Sequence, residues 1–204
     1  MLDRSELILG GQRSGKSRRA ELLARDWLAQ SPGHRSVLIA TATAWDDEMA
    51  ARIARHQQDR AERVPGMQTV EEPLELARAI TQHSAANTLV VVDCLTLWLT
   101  NLLMPHENAE NRLQTFENNQ NYSLNKAVDQ QIQEQVDSFL IAIKNTPGPV
   151  ILVGNEIGLG VIPMGRETRA FVDALGRLNQ NVAATCERVT FMAAGLPLTL
   201  KGRP

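Results

Sequence analysis

The chain has 204 residues, enough for one domain of ordinary to large size. Apolar residues make up 43% and charged residues 22%, near globular averages, which excludes a disordered or fibrous chain. With 21 Lys and Arg against 23 Asp and Glu, the net charge of -2 offers no general attraction for nucleic acid or an anionic membrane, so any anion must be held locally.

In chain order, Leu7-Ile8-Leu9 is a short apolar run ending at Gly10-Gly11, and Ser17 to Gln30 carries helical spacing through Ala20, Leu23 and Trp27. Ser36 to Thr41 repeats the strand pattern. A helix from about Asp47 to Arg63 follows, with Asp46, Asp47 and Glu48 at its positive N-terminal end. Thr88–Asp93 and Pro149–Gly154 are two further strands, continuously apolar rather than alternating, as strands covered on both faces are. A long helix from about Arg166 to Cys186 precedes a last strand near Val189 to Ala193. This alternation predicts one domain over residues 1–204, an α/β fold with a mainly parallel sheet flanked by helices. Pro105 to Gln135 differs, holding six Asn and six Gln. Its first half reads as a surface excursion and its second as a helix running to about Ile143. Cys94 and Cys186 lie far apart with no Cys-x-x-Cys spacing, which speaks against a zinc knuckle or disulfide framework. With no signal-peptide pattern and no window near about 18 apolar residues, the expectation is a cytoplasmic protein without membrane insertion.

Gly10-Gly11-Gln12-Arg13-Ser14-Gly15-Lys16-Ser17 matches Gly-x-x-x-x-Gly-Lys-Ser/Thr between an expected strand and an expected helix. Such a loop turns its backbone N–H groups toward phosphate oxygens, Lys16 can reach the β- and γ-phosphates, and the Ser17 hydroxyl can ligate Mg²⁺. A second acid at the end of a neighbouring apolar strand completes a metal site in such folds, and Asp93 is the candidate. No Asn-Lys-x-Asp follows a strand, since Asn125-Lys126-Ala127-Val128 fails at its fourth position, which disfavours a conventional GTPase.

Between Asp46 and Arg63, Arg52, His56 and Arg60 fall at i, i+4 and i+8, setting a nucleophile-capable imidazole between two positive charges. Met49, Ile53 and His56 also lie at i, i+4 and i+7. The same spacing therefore permits a core-facing histidine with solvated arginines.

Here the residues acquire a pattern. The P-loop, Ile39-Ala40-Thr41, Asp46-Asp47-Glu48-Met49-Ala50-Ala51-Arg52-Ile53 with His56, Asp93-Cys94-Leu95-Thr96, Asn101-Leu102-Leu103, Val153 to Pro163 and Gly176-Arg177-Leu178-Asn179-Gln180 follow one another in order. In this the chain resembles the bifunctional adenosylcobinamide kinase / adenosylcobinamide-phosphate guanylyltransferase family over nearly its whole length. The resemblance implies a RecA-like P-loop fold and a kinase step on the side-chain hydroxyl of adenosylcobinamide with ATP or GTP. It also implies transfer of GMP from GTP to adenosylcobinamide phosphate through a histidine–GMP intermediate on His56. It further implies nucleotide contacts from Gly10 to Ser17, from Ala40, Thr41 and Ala42, from Gln57, Gln58, Asp59 and Arg60, and from Glu71 and Asp93. Mg²⁺ on Ser17 and Asp93, a corrinoid partner and a homotrimer are implied as well. Family members can carry Glu in place of Asp93 and a His pair in place of Arg55-His56, which leaves one candidate nucleophile here. Two rivals use fewer of these residues: a stand-alone kinase in which His56 is chemically silent, and a nucleotide-gated interaction protein.

Overall fold

The structure, a computed structural model, describes residues 2–44, 46–104 and 122–203, with side-chain positions in the last range starting at 130. Seven strands form one sheet: β1 (Ser5–Gly10), β2 (Arg35–Ala40), β3 (Gln68–Glu71), β4 (Thr88–Asp93), β5 (Val150–Val153), β6 (Arg188–Ala193) and β7 (Leu196–Lys201). Their order across the sheet is β3-β2-β4-β5-β1-β6-β7. All neighbours pair in parallel except β6 with β7. This is the RecA-like P-loop arrangement, with β5 lying between the glycine-loop strand β1 and the Asp93 strand β4.

Among the described residues six helices cover the sheet: α1 (Lys16–Gln30), α2 (Asp47–Arg63), α3 (Leu76–His83), α4 (Leu95–Leu103), α5 (Tyr122–Asn145) and α6 (Arg166–Thr185). The apolar strands require this cover, because Ile8 and Leu7, or Val91 and Val90, point to opposite faces and are all fully buried. On one face Leu7, Val90, Val92 and Leu152 pack with Leu76, Trp98, Phe139 and Val182 of α3, α4, α5 and α6. On the other, Ile8, Leu38, Val91 and Val153 pack with Ala20 and Ala24 of α1 and with Val64 at the end of α2.

The helix boundaries follow local chemistry. Asp46 caps α2, its carboxylate accepting the Met49 N–H at 2.7 Å, with Asp47 and Glu48 in the first turn. The expected helices over 47–63, 166–186 and the segment ending near 143 all form, while the first half of the Asn/Gln-rich segment lies outside the described residues. Two strands beyond the five expected complete the sheet. β3 is an edge strand of four residues, three of them exposed, and β7 carries Pro197 on the opposite edge, where a missing N–H is tolerated.

Candidate active site

The strand residues expected in the site fall on one row across the sheet. Cα register pairs Glu71 with Ala40, Ala40 with Asp93, Asp93 with Val153, and Val153 with Ile8. Residues on one such row share a face. Ile8 and Val153 face α1, so Asp93 and Glu71 do too, at the carboxyl ends of the strands where open α/β sheets bind ligands.

The glycine loop leaves β1 at this edge. Gly10 has φ +153° and approaches β6 so closely that a Cβ there would lie 2.4 Å from the Met192 carbonyl oxygen. Gly15 takes the left-handed conformation at φ +100° and opens α1, and Arg13 stands at φ +54°, so the loop is wound as its glycine positions require. Gly195 N–H donates to the Ser14 carbonyl at 3.0 Å and Glu156 N–H to the Gly10 carbonyl at 3.1 Å, anchoring the loop from both sides.

Lys16 is 8% exposed and its Nζ donates to the Gly11 carbonyl at 2.6 Å. Burial lowers its pKa below the ordinary lysine value, and the nearby Cys94 and Asp93 act in the opposite direction. A buried ammonium curled back on its own loop is a charge short of an anionic partner. Neither the Asp93 carboxylate, which is half-buried, nor the Ser17 hydroxyl is engaged by another side chain among the described residues. Two hard oxygen donors with room for water fit a Mg²⁺ ion, which holds few protein ligands and keeps several waters.

The site floor is braced by polar groups. Thr41 is fully buried: its Oγ1 donates to the Cys94 carbonyl at 2.7 Å and accepts the Cys94 N–H at 2.9 Å, while its own N–H donates to the Asp93 carbonyl. Asn101 on α4 donates to the Thr41 carbonyl at 2.8 Å, and Asn179 on α6 to the Asn155 carbonyl at 3.1 Å. The polar atoms of Thr41, a residue expected at the nucleotide, hold the backbone of Asp93 and Cys94. The Cys94 thiol is buried and pushed up to about 12 by desolvation, so it is an inert wall.

On α2, Met49, Ile53, Arg60 and Val64 mark the sheet-facing stripe, and His56 lies on it. Gln57 meets Glu71, the last residue of β3, at 3.3 Å, so residues before 57 stand beyond the strand ends. His56 is therefore exposed above the carboxyl edge, on the α1 side of the sheet, rather than in the core. The two arginines spaced about it differ. Arg52 is exposed, whereas Arg60 is 7% exposed, with Nη1 donating to Thr69 Oγ1 at 3.1 Å and Nε without a partner among the described residues, so the alternative of a core-facing histidine between two solvated arginines fails at both His56 and Arg60.

A model of the family described as "Cobinamide kinase / cobinamide phosphate guanyltransferase" matches residues 6–200. The chain belongs to this family. Its two activities are accordingly those of a cobinamide kinase and a cobinamide-phosphate guanylyltransferase. The Pseudomonas aeruginosa protein named bifunctional adenosylcobalamin biosynthesis protein CobP is 44% identical over 199 residues, covering 98% of each chain. The Escherichia coli and Salmonella typhimurium proteins named bifunctional adenosylcobalamin biosynthesis protein CobU are 35% and 34% identical over 195 residues, covering 96% of this chain and 98% of theirs. Among solved structures, flagellar accessory protein FlaH from Methanocaldococcus jannaschii aligns with a TM-score of 0.49 at 10% identity, covering 98% of this chain and 79% of that one.

For a kinase and guanylyltransferase, the described edge brings together the glycine loop, Lys16, Ser17, Asp93, Ala40 and Glu71, with the stripe bearing His56 and Arg60 on the same face. Sequence reasoning gave no role to Asn101, Thr96 or Asn179. The signal for the two asparagines was present, since an Asn among helical apolar residues such as Leu95, Leu99 and Leu102 must find partners when buried. Thr96 Oγ1 accepts the Asn155 N–H at 3.0 Å, a partner that only the tertiary structure reveals. Among the described residues no cluster of three His, Cys, Asp or Glu groups forms a metal cage, and no helix is long and apolar enough to cross a membrane.

Proposed function

We propose that both activities use the one carboxyl edge, with the triphosphate of ATP or GTP in the loop Gly10–Ser17 and the corrinoid acceptor approaching from solvent. In the kinase step the side-chain hydroxyl of adenosylcobinamide attacks the γ-phosphorus, and the bond to the β-bridging oxygen breaks. The loop N–H groups and Lys16 hold the charge of the departing diphosphate. Mg²⁺ on Ser17 and Asp93 would neutralise charge between the β- and γ-phosphates.

In the guanylyl step an imidazole nitrogen of His56 attacks the α-phosphorus of GTP, forming a P–N bond as the bond to pyrophosphate breaks. An oxygen of adenosylcobinamide phosphate then attacks the same phosphorus and the P–N bond breaks, giving adenosylcobinamide-GDP. Two in-line displacements replace one direct meeting of two anions. We assign contacts with the nucleoside of GTP to Ala40, Ala42, Gln57, Gln58, Asp59, Arg60 and Glu71, among which Gln57 and Glu71 meet at 3.3 Å between α2 and the edge strand β3. Arg60, a buried guanidinium without a carboxylate partner among the described residues, supplies positive charge there.

The observation that carries this reading is the exposure of His56 on the sheet-facing stripe of α2, beyond the strand ends and on the face that holds Lys16. Incubation with α- and γ-labelled GTP tests it. Label from the α-phosphate stays on the denatured protein, is lost in acid and survives alkali, because a protonated ring nitrogen is a good leaving group. His56→Asn abolishes that label and keeps adenosylcobinamide phosphorylation within a few-fold. Retained label moves the nucleophile to another residue, and parallel loss of both activities returns His56 to a structural role. A homotrimer in the cytoplasm completes the proposal. The exposed side chains of Leu196, Leu198 and Leu200 on edge strand β7, 58–71% accessible, supply apolar surface for such contacts.

A further inference from the structure

The two helices that carry the proposed chemistry are joined by one ion pair. Glu21 lies on α1, five residues after Lys16, and is 4% exposed. Its Oε2 accepts from Arg63 Nη1 at 2.8 Å; Arg63 is the last residue of α2 and also donates to Asp59 at 3.0 Å. Arg63 is the ion-pair partner that the described residues give to Glu21, a carboxylate otherwise taken out of water at a cost of several kcal/mol.

The remaining ties of α2 cluster at the same end. Gln57 meets Glu71, Arg60 meets Thr69, and Val64 is buried in the core. From Asp46 to His56 no side chain has a hydrogen bond or ion pair to another element among the described residues. His56 is thus the first residue past the tethered part, roughly 10 Å of helix from Arg63 at 1.5 Å per residue, and Lys16 lies roughly 8 Å of helix from Glu21. Gln57 and Arg60 tie α2 to the edge strand β3; among the described residues the Arg63 pair is the one side-chain hydrogen bond or ion pair that ties it to the helix that opens at the phosphate loop.

We infer that Glu21 and Arg63 are positioning residues for the guanylyl step, fixing α2 on α1 so that the His56 imidazole is registered against the α-phosphate held by the loop. The inference rests on the His56 reading above. The kinase step forms no covalent bond to α2, and with ATP as donor it does not use the GTP nucleoside contacts assigned to that helix, so it does not depend on the pair. A charged pair suits this task better than an apolar contact, because its geometry is directional, Arg63 being held by Glu21 and Asp59 at once.

The test separates positioning from stability. Arg63→Gln alone strands a buried carboxylate and lowers the melting temperature. The double variant Glu21→Gln, Arg63→Gln removes both charges and recovers most of that loss. In the double variant the rate of acid-labile α-label formation at saturating GTP falls about 10- to 100-fold, the effect of a displacement on the order of 1 Å. The KM for GTP and the rate of adenosylcobinamide phosphorylation stay within about twofold of wild type. Labelling that returns with melting temperature in the double variant overturns the inference, and so does a parallel loss of labelling and kinase rate. Absence of α-label from the wild-type protein removes the His56 reading itself, whereas normal labelling of the double variant removes only the coupling.

Discussion

Replacing Lys16 with methionine separates the cost of its charge to the empty fold from its value to the bound nucleotide. The ammonium is buried, its only hydrogen bond among the described residues runs to the Gly11 carbonyl, and desolvation lowers its pKa. A lysine whose folded pKa lies below its unfolded one destabilises the fold while both states are protonated, at pH below the folded value. The penalty fades as pH rises toward the unfolded value. At neutral pH, therefore, Lys16→Met leaves the melting temperature of the ligand-free protein unchanged or higher, the lost hydrogen bond of about 1 kcal/mol offsetting part of the gain. With triphosphate bound the sign reverses. A unit charge about 3 Å from a phosphate oxygen at an effective dielectric near 20 contributes about 5 kcal/mol. Part of this is already spent in desolvation, and loss of one preorganised donor costs about 3 to 4 kcal/mol, or about 10² to 10³ in rate. Wild type with Mg²⁺ and GTP at about 100 times Kd gains about 2.7 kcal/mol, a rise of about 5 to 10 °C at this chain length. The methionine variant loses most of that rise and its kinase rate falls about 10²- to 10³-fold. Thermal scans with and without nucleotide, with a γ-label transfer assay, decide the matter. A kinase rate within a few-fold of wild type, or a ligand-free melting temperature several degrees lower with the nucleotide shift intact, refutes the placement of the triphosphate.

Two further outcomes follow from burial. Arg52→Ala leaves the melting temperature within about 1 °C and slows guanylylation, whereas Arg60→Ala lowers both, because truncating a buried guanidinium removes packing as well as charge; equal thermal losses in the two variants contradict the assigned burial. Iodoacetamide at about pH 8 leaves Cys94 and Cys186 unmodified in the folded protein, both thiols being buried and pushed up to about 12, and alkylates both in denaturant. Peptide mass spectrometry reads the outcome, and rapid native modification of Cys94 would mean that the wall behind Asp93 is open.

What was legible in the sequence is what has a strong local signature. Mostly apolar runs mark β1, β2, β4, β5 and β6, since a strand buried on both faces is apolar at most positions and its buried polar residues, such as Glu6 and Thr190 here, need partners. The glycine loop was legible because its turn needs residues free of a Cβ at Gly10 and Gly15, and α2 because its acidic start and periodic apolar stripe coincide. β3 was not, because Gln68-Thr69-Val70-Glu71 is short and mostly polar, and its pairing with β2 is settled only by tertiary contact. β7 was hidden by Pro197 and by the Ala194-Gly195 turn, which reads as an end of structure yet folds the chain back on β6. The site divided along the same line. Residue identity and spacing were readable, but the burial that splits Arg52 from Arg60, and that makes Thr41 a brace for Asp93 and Cys94, depends on how far α2 extends past the sheet and on what α4 packs against.

The arrangement explains how one loop can serve two transfers at different phosphorus atoms. The carboxyl edge sets the residues proposed for the nucleotide at fixed heights: Asp93, Ala40 and Glu71 share one row, and beside it Asn101 ties Thr41 to α4 and Asn179 ties Asn155 to α6. The amide N–H groups of both asparagines donate to backbone carbonyls, while Asn101 Oδ1 and Asn179 Oδ1 have no partner among the described residues; these buried bonds brace the edge as a frame. The imidazole stands outside the frame, on a helix whose side-chain hydrogen bonds and ion pairs to other elements, among the described residues, all come from residues 57–63. A fixed cradle suits the γ-transfer, in which nucleotide and hydroxyl meet in the loop. A nucleophile carried on a separate, end-tethered helix suits the α-transfer, because the histidine must reach the nucleotide and afterwards leave its phosphorus open to a second, bulky acceptor. The division of labour between rigid edge and tethered helix therefore follows from which groups the fold buries and which it leaves standing above the sheet.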